Sequence, residues 1–318
     1  MVWFAPEYGP AWTGPRGETI GRVDAEGAVG EFSTPGLEDP VIGPSGELWA
    51  SGSSTDAAGK GVVVIARISA TGGTERAFAV GHGRRVESMV VAPDAIWFVR
   101  VPAGHRERIE RLSTTDGGVR RFPLARYCET RGMALAPDGS LWFTEGCEGT
   151  GSRGGVSSIA RIGAGGKIHR HRLPRGEFPE SIAIGPAGTV WFGASNGGLQ
   201  RSRIGRISPS GRRSEYRIRH GDPRSIAVDG EGRVWYPSTL RGSTVHGLGS
   251  IGPSGRPGRP ICADPACDLA PSDLTTGPDG SLWYALGRFQ KIFGPKGEGL
   301  AEQQAIEDEA GFIGHLVP

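Results

Sequence analysis

The sequence predicts an all-β fold made of seven copies of one four-stranded antiparallel unit, and the spacing of its tryptophans is the first reason. The chain has 318 residues and eight tryptophans. Seven of them recur at intervals of 44 to 49 residues, a period typical of repeat proteins whose units stack to bury their apolar faces. These seven are Trp3, Trp49, Trp97, Trp142, Trp191, Trp235 and Trp283.

The fourth copy shows what one unit contains. Its apolar runs at 133–136, 141–144, 159–162 and 168–173 are separated by turns rich in Gly, Pro, Asp and Ser. Short apolar runs bounded by such residues are typical of strands. Four antiparallel strands form one blade of a β-propeller, so the sequence predicts a seven-bladed β-propeller.

The third strand of the unit gives an independent count. A motif that begins with Ile or Leu and ends three residues later with Ile, Leu or Val occurs once per copy. It lies at residues 20–23, 65–68, 109–112, 159–162, 204–207, 248–251 and 313–316. Two unrelated landmarks therefore agree on seven copies, and we expect residues 1–318 to form a single domain.

The two ends of the chain depart from the repeat. The first copy starts at its tryptophan strand and the last stops after its third strand, so we expect one blade to be incomplete at the termini. The last copy also carries an insertion at about 287–310. Its Ala-, Glu- and Gln-rich part favours a short helix. We place this insertion on the top face, meaning the end of each blade with the loops before its first strand and after its second. It is either a partial lid or a decorative insertion.

Composition excludes several functional classes. The formal net charge is +2, with 36 basic and 34 acidic residues, so no excess of positive charge favours nucleic acid or a membrane surface. The sequence contains no apolar run long enough to span a membrane. We expect a monomer that binds a small molecule or a peptide.

The four cysteines form two local pairs. Cys128 and Cys147 precede the first strand and follow the second strand of one blade, and Cys262 and Cys267 share a top loop. Two such pairs predict two disulfides and therefore an extracytoplasmic or secreted protein. The alternatives are unbridged thiols in a cytosolic protein or a zinc site, although no histidine motif accompanies these cysteines.

Three repeated segments carry a family resemblance. They read Pro-Glu-Ser-Ile-Ala-Ile-Gly-Pro at 179–186, Leu-Trp-Phe-Thr-Glu at 141–145 and Ile-Gly-Arg-Ile at 204–207. With their counterparts in the other copies they resemble the virginiamycin B lyase (streptogramin B lyase) family over essentially the whole chain. The resemblance implies a seven-bladed propeller.

It also implies an activity that this chain departs from. Members with that activity linearise a cyclic depsipeptide antibiotic by elimination across its ester bond, with a base and a bound magnesium ion. The family's two histidines fall at Arg224 and Ser272, and its two glutamates fall at Ala270 and near Gly287. None of these residues supplies an imidazole or a carboxylate. The resemblance therefore implies the fold without the lyase site.

The position of the first of those histidines recurs once per blade, just before the innermost strand. We expect its side chains to surround the top mouth of a central channel and to bind a polar ligand there, or to form only solvated ion pairs. These candidate ligand-binding residues are Asp39, Glu87, Arg131, Glu180, Arg224 and Ser272.

Other candidate chemistry is sparse. His169 and His171 are two residues apart on one strand and could form a metal pair, but we expect them to face solvent. We expect no catalytic residue, metal or cofactor. Two hypotheses remain: a non-catalytic binding propeller, or an enzyme with a relocated metal-assisted site. That enzyme would be a lyase acting by C–O elimination or a lactonase-like hydrolase, and magnesium would be its cofactor.

Overall fold

The computed structural model describes residues 2–4, 19–23, 29–34, 36–69, 72–83, 85–101, 107–125, 127–147, 155–196, 202–218, 221–239, 245–267, 269–277, 279–288 and 312–316. Their contacts form two compact units, the first ending at Pro179 and the second beginning at Glu180. The single domain over 1–318 stays a prediction. Trp12, the tryptophan outside the recurring set, and residues 289–310 of the predicted insertion lie outside the described residues.

The first unit contains four antiparallel sheets in the described residues. They are arranged as β1-β2-β3, β4-β5-β6-β7, β8-β9-β10-β11 and β14-β15-β16, with β12 and β13 both paired to β14. Their strands are β1 (Val2–Phe4), β2 (Thr19–Val23), β3 (Val29–Ser33), β4 (Leu37–Ile42), β5 (Leu48–Thr55), β6 (Gly61–Ile68), β7 (Thr74–Gly81), β8 (Arg85–Ala92), β9 (Ala95–Val101), β10 (Arg108–Ser113), β11 (Val119–Pro123), β12 (Cys128–Glu129), β13 (Met133–Leu135), β14 (Leu141–Cys147), β15 (Ser158–Ile162) and β16 (Ile168–Arg172).

Three further sheets follow along the chain, in the orders β17-β18-β19-β20, β21-β22-β23-β24 and β25-β26-β27. A single 3₁₀ turn at Pro186–Gly188 is the only helical element among the described residues. The strands are β17 (Phe178–Ile184), β18 (Val190–Ser195), β19 (Arg203–Ile207), β20 (Arg213–Arg217), β21 (Ala227–Val228), β22 (Val234–Thr239), β23 (His246–Ile251), β24 (Ile261–Cys262), β25 (Leu269–Thr276), β26 (Leu282–Arg288) and β27 (Phe312–Leu316).

The strand register confirms the predicted all-β propeller repeat. Each of the seven described sheets carries one of the seven recurring tryptophans, and each tryptophan lies opposite the third residue of the recurring third-strand motif. These pairs are Trp3–Arg22, Trp49–Arg67, Trp97–Arg111, Trp142–Arg161, Trp191–Arg206, Trp235–Ser250 and Trp283–His315. The two sequence landmarks are therefore neighbours on adjacent strands, and seven sheets are consistent with seven blades.

The arginine of the third-strand motif has a packing role. The guanidinium carbons of Arg111 and Arg206 lie 5.8 and 5.4 Å from the ring centroids of Trp97 and Trp191. Where Ser250 replaces this arginine, Arg233 lies 5.8 Å from the ring of Trp235 instead. Cation–π contacts of this kind contribute about 0.5–1 kcal/mol at exposed sites.

Apolar side chains of successive sheets meet in shared clusters within each unit. The cluster around Trp49 and Ile65 includes Phe98 of the next sheet, and the cluster around Trp97 includes Phe143 of the sheet after that. The same arrangement joins β19 to β22 and β23 to β26 in the second unit. Four pairs of adjacent sheets thus bury their apolar faces against each other, as the repeat period predicts.

Candidate functional site

Three of the six candidate residues lie where the first strand of a sheet departs from regular pairing. Glu87 falls between Val86 and Ser88, where the register of β8 against β9 shifts. Asp39 lies in the corresponding irregular stretch of β4, and the register of β25 shifts directly after Ser272. A β-bulge re-aims side chains and is often found beside active sites. Three of the six positions predicted as one recurring site thus share a backbone irregularity, which the sequence pattern did not reveal.

Arg131 occupies an equivalent interruption in the fourth sheet. It lies in the gap between β12 and β13, and its N–H and that of Gly132 donate to Oγ1 of Thr144, at 2.9 and 3.0 Å. Its guanidinium pairs with Glu129 at 2.9 Å and lies 4.7 Å from the ring centroid of Phe178. The threonine of the Leu-Trp-Phe-Thr-Glu motif therefore holds the backbone of this candidate residue.

Glu107 joins the candidate site of the first unit, and sequence analysis missed it. Burial raises the pKa of the Glu107 carboxyl to about 7, with further contributions from the charges of Glu87 and Glu129 and from a hydrogen bond to Glu87. The N–H of Thr130, which donates to Glu107 Oε2 at 2.8 Å, opposes this rise in pKa. Glu87 also pairs with Arg85 at 3.0 Å. The Glu107 carboxyl can therefore hold a proton near neutral pH.

Both predicted disulfides are present. Cys128 and Cys147 are register partners on β12 and β14 with their Cα atoms 4.0 Å apart, and the Cα atoms of Cys262 and Cys267 are 4.9 Å apart. The first disulfide lies two residues before Thr130 and so secures the strand next to Glu107. Two disulfides are compatible with an oxidising compartment. No helix in the described part of the chain is both long enough and apolar enough to cross a membrane.

In the second unit, Arg224 is held by an aspartate two residues earlier. Its Nε and Nη2 donate to the carboxylate of Asp222, with Nε 2.9 Å from Oδ2. The hydrogen bonds and the charge of Asp222 raise the pKa of Arg224, and the charge of Glu180 adds to this effect. Glu180 itself accepts a hydrogen bond from Ser195 Oγ at 2.6 Å. Arg224 therefore remains a cation and has no capacity to act as a base.

The other three positions implied by the family resemblance come together on β25 and β26. Ala270 lies directly opposite Gly287, and Ser272 lies opposite Ala285. The N–H of Leu274 donates to Ser225 Oγ at 2.8 Å, which ties this strand to the turn that carries Arg224. The residues at the four positions are thus neighbours in the fold, and the differences from the family are changes of residue type.

These residues do not fit a magnesium ion. Magnesium requires oxygen ligands, usually including carboxylates, whereas Arg224, Ala270, Ser272 and Gly287 offer a single hydroxyl and a positive charge. In the described part of the chain, His, Cys, Asp and Glu form no group of three or more that could hold a metal. Elimination assisted by magnesium has no support at these four positions.

The two histidines predicted as a possible metal pair, His169 and His171, have different surroundings. His169 is exposed, as predicted, but His171 is partly buried and stacks on Trp142 with ring centroids 5.5 Å apart. The prediction that both face solvent is therefore wrong for His171, because this strand packs its second histidine on the tryptophan of its own sheet. The alternation of residues along this strand does not reveal from sequence alone that His171 packs on a tryptophan.

Similarity to solved structures shows the fold. Hydrazine synthase of Kuenenia stuttgartiensis is 16% identical, with a TM-score of 0.58 over 80% of this chain and 77% of that chain. A Bacteroides uniformis protein proposed to be a 6-phosphogluconolactonase is 13% identical, with a TM-score of 0.57 over 94% of both chains. The β-propeller domain of the Trilobed protease from Pyrococcus furiosus is 12% identical, with a TM-score of 0.57 over 79% of this chain and 77% of that chain.

Sequence comparison shows the family. No match was found among curated proteins. The model of the virginiamycin B lyase family, in contrast, matches residues 41–285, which is more than half of the chain and includes the positions of Arg224, Ala270 and Ser272. This match identifies the family of the protein, in agreement with the seven antiparallel sheets and with the similarity to propellers of known structure. The chain belongs to the virginiamycin B lyase family.

Proposed function

We propose that this protein is a non-catalytic propeller of its family, which binds a small molecule or a peptide through the charged positions at the top of its blades. The observation that carries the proposal is the replacement of the family's four functional positions by Arg224, Ala270, Ser272 and Gly287. Elimination needs a base for an α-proton and a cation or hydrogen-bond donors for the resulting enolate. The side chains at these positions provide no base.

The charged side chains at the candidate positions favour a ligand that carries both a positive and a negative group. The first unit contributes three carboxyl groups, Glu87, Glu107 and Glu129, next to the cations of Arg85 and Arg131. The second unit contributes Glu180 and the Arg224–Asp222 pair. Peptides and zwitterionic small molecules offer ammonium and carboxylate groups of complementary charge, and we infer that such ligands bind at these charged positions of the blades.

The two disulfides support a location outside the cytoplasm, since structural disulfides persist in oxidising compartments. A binding role there is compatible with the absence of a catalytic base, because a ligand-binding protein needs only a complementary surface. We therefore propose an extracytoplasmic binding protein.

Binding is tested by isothermal titration calorimetry with short synthetic peptides, in zwitterionic form and with either terminus blocked. We expect saturable binding of a zwitterionic peptide, weakened by Arg224→Gln and by Glu180→Gln. Arg212→Gln serves as a matched control, because Arg212 is exposed in the hairpin between β19 and β20, at the other end of its sheet. Equal effects of the Arg224 and Arg212 variants would contradict the proposal.

A second candidate is a lyase or lactonase-like hydrolase with a relocated metal-assisted site. The observation in its favour is the Glu87–Glu107 pair, because a carboxyl group with a pKa of about 7 suits general acid–base catalysis at neutral pH. Hydrolysis of an aryl lactone in the presence of Mg²⁺, lost in Glu107→Gln, would favour this enzyme over a binding protein. Calorimetric titration with Mg²⁺ alone would show whether a metal binds.

A further inference from the structure

A cavity of about 490 Å³ lies at the bottom of the first unit, at the end opposite to the candidate site. It lies between the sheets β4–β7 and β8–β11, at the turns that join β4 to β5 and β8 to β9. Its volume is in the range of small-molecule sites, which usually combine apolar walls with a few polar groups. No part of the proposed function uses it.

The cavity has an apolar wall and a charged rim. Trp49, Ile68 and Val91 line it as buried side chains. At its rim, Arg67 Nε lies 3.1 Å from Glu75 Oε2, and both side chains are about half exposed. An exposed ion pair contributes little to stability, so these two side chains can exchange their contact for hydrogen bonds to a ligand at little cost.

The wall also contains a buried donor that lacks a partner in the described part of the chain. The indole N–H of Trp49 has no hydrogen-bond acceptor there, whereas Trp235 donates to Asp229 at 2.8 Å and Trp283 to Ser281 at 2.9 Å. The residue of this sheet that corresponds to Ser281 is Glu47, and its carboxylate accepts the N–H of Ser45 instead. A buried donor without a partner costs free energy. An acceptor bound beside Trp49 would recover that cost.

The charges around the cavity balance. Arg67 and Arg76 are offset by Glu47 and Glu75. Arg76 is moreover fixed at the rim, because it donates to the carbonyl of Thr114 at 2.8 Å and lies over the ring of Phe78. A ligand with a net charge therefore gains no overall attraction, while one rich in both donors and acceptors can engage the rim. This favours a neutral molecule.

We propose that this cavity binds a neutral carbohydrate. A sugar ring has an apolar C–H face to pack against Ile68 and Val91. The indole nitrogen of Trp49 is covered in the structure, so its N–H donates to a sugar hydroxyl oxygen only after the ring moves towards the cavity. The other hydroxyls can donate to Glu75 and accept from Arg67 at the rim. This site is separate from the charged positions at the top of the blades, so the failure of either proposal leaves the other standing.

The test follows the tryptophan indole resonances by ¹H–¹⁵N NMR during titration with D-glucose, N-acetyl-D-glucosamine, maltose and cellobiose. Trp49→Phe identifies the Trp49 resonance, and Trp142 serves as an internal reference. We expect at least one neutral sugar to shift the Trp49 resonance saturably and to leave that of Trp142 unchanged. No saturable shift with any of these sugars would overturn the proposal, as would stronger binding of anionic D-gluconate or cationic D-glucosamine.

Variants at the rim complete the test without disturbing the core. Arg67→Gln and Glu75→Gln are each expected to weaken binding about tenfold, since each removes a charged hydrogen-bond partner. Arg161→Gln is the matched control, because Arg161 lies opposite Trp142 as Arg67 lies opposite Trp49, and it is not part of the cavity. Equal weakening by Arg161→Gln would refute a site at this cavity. Arg224→Gln is expected to leave sugar binding unchanged.

Discussion

Removal of the buried carboxylate of Glu110 should cost far more stability than removal of a comparable carboxylate at the surface. Glu110 is fully buried, and its Oε1 lies 2.7 Å from Arg100 Nη2 and 3.0 Å from Arg108 Nε. The Arg100 side chain is only 3% exposed. In Glu110→Gln this guanidinium loses its counter-ion and keeps only neutral acceptors, namely the amide oxygen of the new glutamine and the carbonyls of Val80 and His82.

The size of the stability loss in Glu110→Gln follows from the burial of the ion pair. Breaking a buried ion pair by removing one partner costs about 3–5 kcal/mol, because the remaining charge is left uncompensated. Glu215 is the matched control, since it contacts two arginines, Arg203 at 3.0 Å and Arg213 at 3.2 Å, but all three side chains are 20–37% exposed. Glu215→Gln should therefore cost about 0–1 kcal/mol.

Urea denaturation, monitored by tryptophan fluorescence, measures the loss of unfolding free energy in both variants. A shift of the midpoint without a change of slope reports stability alone. We expect Glu110→Gln to lower the midpoint markedly and Glu215→Gln to leave it almost unchanged. Equal, small shifts in the two variants would refute the reasoning, because the pair between Arg100 and Glu110 would then behave as a solvated one.

Two further predictions concern pH and redox state. The pKa of Glu107 is raised from 4.5 to about 7 in the folded protein, so its protonated carboxyl stabilises the fold at low pH, and this contribution is lost as pH rises through that window. Wild type should therefore lose stability relative to Glu107→Gln between pH 4.5 and 7 in urea titrations, and a constant difference would contradict the shift. Replacement of Cys128 and Cys147 by serine, which opens a 19-residue separation, should lower the unfolding free energy by about 3 kcal/mol. That difference should vanish when both proteins are measured in dithiothreitol, which also reduces the Cys262–Cys267 disulfide in each.

The strands and disulfides could be predicted from sequence because they depend on local or periodic signals. The seven tryptophans recur at nearly constant spacing, and so do the third-strand motifs up to the sixth copy, so their pairing follows from the blade. Cys128 and Cys147 flank two strands of one blade, and β12 and β14 bring them into register. In such cases the sequence interval itself determines the contact.

The candidate site could be predicted only in part. Position within the repeat predicted Glu87 and Arg224, but not their partners. Glu107 lies directly before β10, and Asp222 lies two residues before Arg224. No motif marks Glu107, because its pKa depends on burial and on carboxylates that only the folded chain brings close. The bulge at Glu87 likewise leaves no periodic signature, since one extra residue changes the register of two strands locally.

The loss of the family's lyase chemistry is the central claim, and a direct assay tests it. The protein is incubated with a streptogramin B and Mg²⁺, and the linearised product is sought by mass spectrometry, with an active member of the family as positive control. Because Arg224, Ala270, Ser272 and Gly287 supply no base, we predict no product above that of a sample without protein. Turnover at enzymatic rates would contradict the account and show that other residues perform the elimination.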